Sequence, residues 1–296
     1  MCRLFGLTAG SEPIKATFWL LEAPDSLAQQ SRRNPDGYGL ATFRPEVLIE
    51  KRPVAAYEDE EFAREATERE SPVFVAHVRY ASTGARDMAN THPFEQEDRV
   101  FAHNGHLEGL DELDDHLGDY RRLVHGDTDS ERFFALVTKE TDANGGDPGA
   151  GLATAARWAA ANLPLYALNC VMATATDIWV LRYPETHDLL MLERAVGGET
   201  GSRHFDAGSA SGRIRVRSGA LAACRAVVFA SERMDEDAGW RMLARGELVH
   251  VDRNLDVTCA VAVDRPPARP LTLADLHPDV AASQQPASRG PSRASP

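Results

Sequence analysis

Short apolar runs rich in β-branched and aromatic residues recur along most of this 296-residue chain and constrain the fold more than any other feature. We predict strands at 3–9, 37–43, 72–80, 99–102, 165–173, 177–183, 189–194, 225–231, 248–252 and 256–263. Helical spacing of apolar residues appears at 58–68, 130–140 and 152–162. Many strands with few helices predict an α+β domain in which two sheets pack face to face with helices outside.

We expect one domain over residues 2–280, because 43% of the chain is hydrophobic and can form a substantial core. The segment 281–296 contains mostly Ala, Ser, Pro, Gln and Arg, and we expect it to be disordered. No apolar run is long enough for a signal peptide or a membrane span, so we expect a cytoplasmic protein. A net charge of -13 argues against nucleic acid or an anionic membrane as a partner.

Cys2 is the strongest candidate for a catalytic residue. Removal of Met1 would place a thiol and an α-amine on the same residue, with pKa values of roughly 8.5 and 8. Such a terminus holds a nucleophile and a base without a distant histidine. On its position alone, a cysteine at this place is more often part of a frayed terminus. The other cysteines, Cys170, Cys224 and Cys259, lack metal-ligand spacing and are expected to be buried free thiols.

Four segments carry polar residues at or near the ends of predicted strands: 33–39, 77–84, 103–105 and 127–131. Taken singly, an Asn-Gly pair is more often a hairpin turn, and an arginine at a strand end is more often a solvated charge. Together they supply the groups that an amide hydrolase with a thiolate nucleophile needs.

Three of these segments can act on the reacting carbonyl or on the ends of an amino acid. The Asn104 amide and the Gly105 backbone N–H could donate hydrogen bonds to a developing oxyanion. Arg79 can bind an α-carboxylate through its guanidinium, and Asp129 can accept from an α-ammonium group. Asp129 also lies in a run, 127–130, that predicts the N-cap of the second helix.

Behind Cys2, the order of these motifs resembles the class II glutamine amidotransferases, which are N-terminal nucleophile hydrolases. The matching motifs are Arg-Asn-Pro-Asp-Gly-Tyr-Gly at 33–39, His-Val-Arg-Tyr at 77–80, Asn-Gly at 104–105 and Thr-Asp-Ser-Glu at 128–131. The resemblance implies the four-layer αββα fold of that family, with two packed, mainly antiparallel sheets. The segment 90–94 and the short chain are most similar to stand-alone members, including the γ-glutamyl hydrolase of ergothioneine biosynthesis.

The resemblance also implies a mechanism and a role for each site residue. Cys2 would attack the γ-amide carbonyl of glutamine or of a γ-glutamyl metabolite, forming a thioester and releasing ammonia or an amine. Water would then release glutamate, with the Cys2 α-amine transferring protons. Asn104 and Gly105 would bind the oxyanion, and the substrate would be held by Arg79, Ser82 and Asp129. The scheme requires no metal and no organic cofactor, and His77 would be a structural strand residue.

Three other readings remain open on the residues alone. The chain could be a glutaminase subunit that delivers ammonia to a separate synthase, or a glutamyl-binding module without catalysis. A metal hydrolase is a further alternative, since the stretch 92–129 contains His92, His103, His106, His116 and His125 together with Asp127 and Asp129. The His103 and His106 spacing does not match the i, i+4 geometry of helical metal ligands.

Overall fold

The computed structural model describes residues 2–44, 46–80, 87–196, 205–208, 215–218 and 224–284, with the backbone alone at 205–208 and 215–218. The described strands are β1 (Arg3–Thr8), β2 (Gly37–Phe43), β3 (Val47–Arg52), β4 (Val73–Arg79), β5 (Phe94–Gln96), β6 (Arg99–Leu107), β7 (Pro164–Ala173), β8 (Ile178–Leu181), β9 (Leu190–Arg194), β10 (Phe205–Gly208), β11 (Arg215–Ser218), β12 (Ala226–Ala230), β13 (Arg241–Met242), β14 (Glu247–Val251), β15 (Val257–Val261) and β16 (Arg269–Pro270).

The helices in these ranges are α1 (Leu27–Ser31), α2 (Glu60–Glu68), α3 (Leu110–Leu117), α4 (Asp129–Ala143), α5 (Pro148–Asn162) and α6 (Pro278–Gln284). Further helical turns of other types cover Phe18–Glu22, Ala56–Glu58 and Gly118–Leu123. As predicted, α4 begins at a capped terminus, where the Thr128 side chain accepts a hydrogen bond from the Glu131 backbone N–H. None of the helices in the described ranges has the length and apolar character needed to cross a membrane.

Two large sheets form the centre of the molecule. The first has the strand order β13-β9-β12-β1-β4-β2-β3, and the second has the order β15-β14-β8-β7-β6-β5. The pairings along both orders are antiparallel, while β16 adds a short parallel pairing to β7. Strands β10 and β11 pair with each other as a separate ribbon.

Three apolar clusters define the layers. One cluster lies between the sheets and includes Leu4, Val75 and Val100. A second joins the outer face of the first sheet to α1 and α2, and a third joins the outer face of the second sheet to α3, α4 and α5. This arrangement confirms the predicted α+β, four-layer αββα architecture.

Strand β1 is central in the first sheet, where it pairs with β12 on one side and with β4 on the other. The β1–β4 register places Arg3 opposite Val78. Because the strands are antiparallel, the start of β1 and the end of β4 meet at one edge of the sheet. The tertiary structure therefore brings residue 2 beside residues 79 and 80.

The sequence patterns missed the short elements. Strands β3 and β5 and helices α1 and α3 carry too few periodic residues to be recognised from the pattern alone. Helix α6 covers 278–284, so the predicted boundary between domain and tail at 280/281 falls inside a helix. Residues 285–296, the rest of that predicted tail, lie outside the described residues.

Candidate active site

The alternation of side chains along three strands points Cys2, Arg79 and Asn104 to the same side. Inward-facing residues of the core between the sheets include Leu4 on β1, Val75 on β4 and Ala102 on β6. On the same faces, Cys2 lies two residues before Leu4, Arg79 lies four residues after Val75, and Asn104 lies two residues after Ala102. The inner faces of the two sheets thus change from apolar to polar at one end of the sandwich.

These residues line one cavity of about 440 Å³, counting the space at its open mouth. Its lining comprises Cys2, Arg79, Tyr80, Asn90, His92, His103, Asn104, Gly105, Thr128, Asp129, Ser130 and Gln284. Of the site residues predicted from sequence, the structure brings together Cys2, Arg79, Asn104, Gly105 and Asp129. Ser82 lies outside the described residues.

The Cys2 sulfur is held against the end of β4. The Tyr80 backbone nitrogen donates to Cys2 Sγ at 3.3 Å, and Cys2 Sγ lies 3.7 Å from the Tyr80 carbonyl oxygen. Cys2 is half-buried, so its sulfur is accessible from the cavity.

Asn104 presents an unused donor in this cavity. Its side chain is buried, and its Nδ2 atom has no hydrogen-bond partner among the described residues. A buried amide N–H without a partner is costly, which makes it a candidate for contact with a ligand. Placed beside Cys2, this donor suits an oxygen that gains negative charge during attack.

Gly105 is required by the close approach of β6 and β7. A Cβ atom at this position would lie 1.9 Å from the Ala167 carbonyl oxygen and 2.5 Å from His103 Nε2. Any side chain here would push the two strands apart. By allowing this close packing, the glycine also sets the positions of the Asn104 side chain and the Gly105 backbone N–H.

Asn169, which sequence reasoning missed, supports Asn104 from the neighbouring strand. The two residues are paired across β6 and β7. Asn169 Oδ1 accepts from the Tyr183 backbone nitrogen at 3.0 Å, and its Nδ2 donates to the carbonyl oxygens of His187 and Asp188 at 3.2 Å each. Its fully buried side chain thus links the β8–β9 connection to β7, opposite Asn104.

Arg79 and Asp129 supply opposite charges. Arg79 is only 4% exposed, and its backbone carbonyl accepts from the Asp36 nitrogen at 3.1 Å, which joins the 33–39 loop to the end of β4. The Asp129 carboxylate accepts from the Leu107 nitrogen through Oδ2 and from the Ser130 nitrogen through Oδ1, each at 2.9 Å. These bonds fix the carboxylate at the N-terminus of α4, where the helix dipole favours negative charge.

Asn90 places that end of α4. Its Oδ1 accepts from the Asp127 backbone nitrogen at 2.8 Å. The Glu131 carboxylate accepts from the Gly126 nitrogen at 2.6 Å, closing the turn before the helix. The 87–94 segment, which includes the motif at 90–94, therefore acts as a support for Asp129.

Three buried histidines, two of them in the cavity lining, are in the neutral form. Burial lowers the pKa of His77 to about 3, and it also lowers the pKa of His92 and His103. The rings of His77 and His92 lie 4.3 Å apart, and His103 Nδ1 is 2.9 Å from Ser130 Oγ. Two imidazolium ions could not be buried side by side, so the contact between these rings adds to the effect of burial in favouring neutral histidines. A pKa this low also suits His77 poorly to a role as general base near neutral pH.

The histidines proposed as metal ligands are not assembled into a ligand group among the described residues. In that part of the chain, the side chains close enough to share a metal ion are Glu50, Glu61 and Glu65, on β3 and α2. His116 instead stacks on Trp158, with ring centroids 4.0 Å apart. His106 Nδ1 lies 3.9 Å from Asp129 Oδ2.

Comparison with known proteins supports the fold and the family. The family model described as "Glutamine amidotransferases class-II" matches residues 1–271. A probable glutamine amidotransferase of Saccharomyces cerevisiae is 31% identical over 171 residues, which are 50% of this chain and 48% of that protein. The chain spans less than half the length of the curated relatives it matches.

Solved structures of the same fold align with most of the chain. The glutamine phosphoribosylpyrophosphate amidotransferase of B. subtilis, solved with ADP and GMP, aligns with a TM-score of 0.61 at 17% identity and covers 90% of this chain and 50% of that one. A glutamine aminotransferase class-II domain protein from Silicibacter pomeroyi aligns with a TM-score of 0.55 at 19% identity, covering 88% and 99% respectively. With the family model matching residues 1–271 of 296, this chain belongs to the class-II glutamine amidotransferases.

Proposed function

We propose that this protein hydrolyses the γ-amide of glutamine or of a γ-glutamyl metabolite through a thioester on Cys2. The observation that carries the proposal is the buried, unpartnered Nδ2 of Asn104 in the cavity that Cys2 lines. A buried donor without a protein partner, in the cavity that Cys2 lines, suits the oxyanion of acyl transfer. The same cavity contains one buried cation and one fixed carboxylate, as a free amino-acid end requires.

The reaction balances with the groups of the mature terminus. The Cys2 thiol passes its proton to the α-amine, and sulfur forms a bond to the γ-carbonyl carbon. The tetrahedral oxyanion accepts hydrogen bonds from Asn104 and the Gly105 N–H, and then the carbon–nitrogen bond breaks as the amine proton goes to the leaving group. Water attacks the thioester with its proton taken by the α-amine, and glutamate and the thiol are released.

Arg79 and Asp129 would orient the glutamyl half during both steps. Arg79 would bind the α-carboxylate, and Asp129 would accept from the α-ammonium group. Because the Asp129 carboxylate is fixed by backbone donors, it needs little reorganisation when substrate binds. We also propose that the protein is a stand-alone enzyme similar to the γ-glutamyl hydrolase of ergothioneine biosynthesis. We propose a cytoplasmic location for it.

An ammonia-delivering subunit is the second candidate. The name of the yeast relative, glutamine amidotransferase, describes transfer of the amide nitrogen to an acceptor. Under that reading the released ammonia would pass to a separate synthase, with the same chemistry at Cys2.

The test is glutamate release by the purified full chain from glutamine and from a panel of γ-glutamyl amides. Cys2→Ala should abolish release, whereas Cys259→Ala, which changes an exposed thiol, should have no effect. Turnover by the protein alone supports the hydrolase. Glutamate release that depends on an added synthase favours the ammonia-delivering subunit, and persistent release by Cys2→Ala would overturn both. Labelling of Cys2 by a glutamine-like electrophile without turnover under either condition would leave a glutamyl-binding module.

A further inference from the structure

The C-terminal helix α6 reaches the cavity although no motif of the sequence pointed to it. Gln284, the last described residue of α6, lines the cavity together with Cys2 and is only 5% exposed. The helix is held in place by an apolar contact, in which Leu276 and Val280 pack on Tyr166 and Ala167 of β7. Burying a polar side chain costs free energy unless its hydrogen bonds are satisfied, so the burial of Gln284 calls for a structural or functional explanation.

The Gln284 amide is anchored at one end. Its Oε1 atom lies 2.8 Å from His187 Nε2, and its Nε2 donates to Ser283 Oγ at 3.0 Å. Burial lowers the pKa of His187 to about 4, so its ring is neutral and its Nε2–H donates to Gln284 Oε1. Among the described residues, the second N–H of the Gln284 amide is left without an acceptor.

Gln284 and Arg79 reach the cavity from different parts of the fold. Arg79 lies on β4, one neighbour of β1, while β12 and β9 continue the sheet on the other side. His187, which holds Gln284, lies in the connection from β8 to β9. In a γ-glutamyl amide bound at Cys2, the leaving amine lies on the side of the sulfur opposite the glutamyl half.

We infer that Gln284 is a specificity-determining residue, which donates an amide N–H to a hydrogen-bond acceptor on the amine half of the substrate. This inference rests on the proposed function and deepens it. The substrate class is then a γ-glutamyl amide whose leaving amine carries a carboxylate, carbonyl or similar acceptor. His187 is a positioning residue, because it acts through Gln284.

The experiment compares two amides that differ in the acceptor. γ-Glutamylglycine carries a carboxylate on its leaving amine, and γ-glutamylethylamide carries no acceptor. In the full-length enzyme, Gln284→Ala should lower the ratio of kcat/KM for γ-glutamylglycine over γ-glutamylethylamide by about tenfold, the loss of one hydrogen bond. Asp279→Ala, on the exposed side of the same helix, is the matched control and should leave the ratio unchanged.

Two more variants test whether Gln284 contacts the leaving amine or only supports helix α6. Gln284→Glu keeps an oxygen for His187 but replaces the donor by a negative charge. It should therefore shift preference from γ-glutamylglycine to the γ-glutamyl amide of 1,4-diaminobutane, whose leaving amine is cationic. His187→Ala should lower the glycine to ethylamide ratio as Gln284→Ala does, and the double variant should lose no more than the larger single effect.

The outcomes are distinguishable. A ratio unchanged by Gln284→Ala, in an enzyme that still releases glutamate through Cys2, would overturn the role of Gln284 and leave the proposed function standing. Absence of glutamate release from every amide by the unmodified enzyme would overturn the proposed function and this inference with it. Unchanged preference in Gln284→Glu would also contradict direct recognition.

Discussion

The Tyr80 backbone nitrogen lies 3.3 Å from Cys2 Sγ, although 78 residues separate the two in sequence. The contact follows from the antiparallel pairing of β1 with β4, in which Arg3 faces Val78. The same register places Arg79, the proposed carboxylate ligand, beside Cys2, the proposed nucleophile. These two residues are therefore positioned by a single strand pair, which is more rigid than two loops would be.

We expect the active protein to begin at Cys2, because the proposed mechanism uses the α-amine of that residue as base. Intact mass spectrometry of the purified, active protein measures this directly. Cys2→Ala should remove glutamate release without a loss of thermal stability, since the side chain is only half-buried. Activity in a protein that uniformly retains Met1 would contradict the N-terminal nucleophile mechanism.

Binding and rate should respond to different residues. Arg79→Ala and Asp129→Asn should mainly raise KM, because each weakens a charge-assisted contact worth roughly 1.5 to 3 kcal/mol. Asn is chosen at 129 because it keeps an oxygen for the Leu107 N–H. Asn104→Ala should lower kcat by about a hundredfold or more, since the donor acts on the transition state. Steady-state kinetics would contradict the assignment if all three variants changed only KM.

Gly105→Ala should destabilise the fold as well as the site. The added methyl would overlap the Ala167 backbone carbonyl, so strands β6 and β7 would have to separate, at a cost of about 2 to 4 kcal/mol in unfolding free energy. Gly6→Ala is the control in another buried strand, because its nearest contact is the flexible Ile178 Cδ1 atom at 3.0 Å. Urea denaturation of both variants measures the difference, and equal losses would show that the β6–β7 approach is not limiting.

Acid should weaken the fold through its buried histidines. Burial lowers the pKa of His77 to about 3 and that of His187 to about 4, whereas a histidine of the unfolded chain titrates at about 6.5. Below pH 6.5 the unfolded chain therefore binds more protons than the folded one. Stability is fully present above that pH and is lost as the pH falls toward the folded pKa values, by up to about 1.4 kcal/mol per pH unit for each such histidine.

Calorimetry between pH 7 and pH 5 measures this loss as a falling Tm. His77→Gln removes one of the titrating rings and should give a shallower dependence of unfolding free energy on pH. A slope identical to that of the unmodified protein would show that His77 is not kept neutral by the fold.

The sequence by itself determined the strand-rich layered fold and most of the candidate site. Near-continuous apolar runs mark β1, β4 and β6 because both faces of each strand are buried, one in the core between the sheets and the other against the outer helices, and that pattern is local. Cys2, Arg79, Asn104, Gly105 and Asp129 were recognisable from short motifs, since each lies at or near the end of a periodic segment. The comparisons support the family that these motifs resemble.

Only the tertiary structure decided which distant residues complete the cavity. Asn169 lies in the middle of an apolar strand, and its role appears once β7 pairs with β6. Gln284 lies at the end of a short helix whose packing on Tyr166 brings it near Cys2, 282 positions away in sequence. No local pattern records such contacts, because strand register and helix docking are set by burial of surfaces that are remote along the chain.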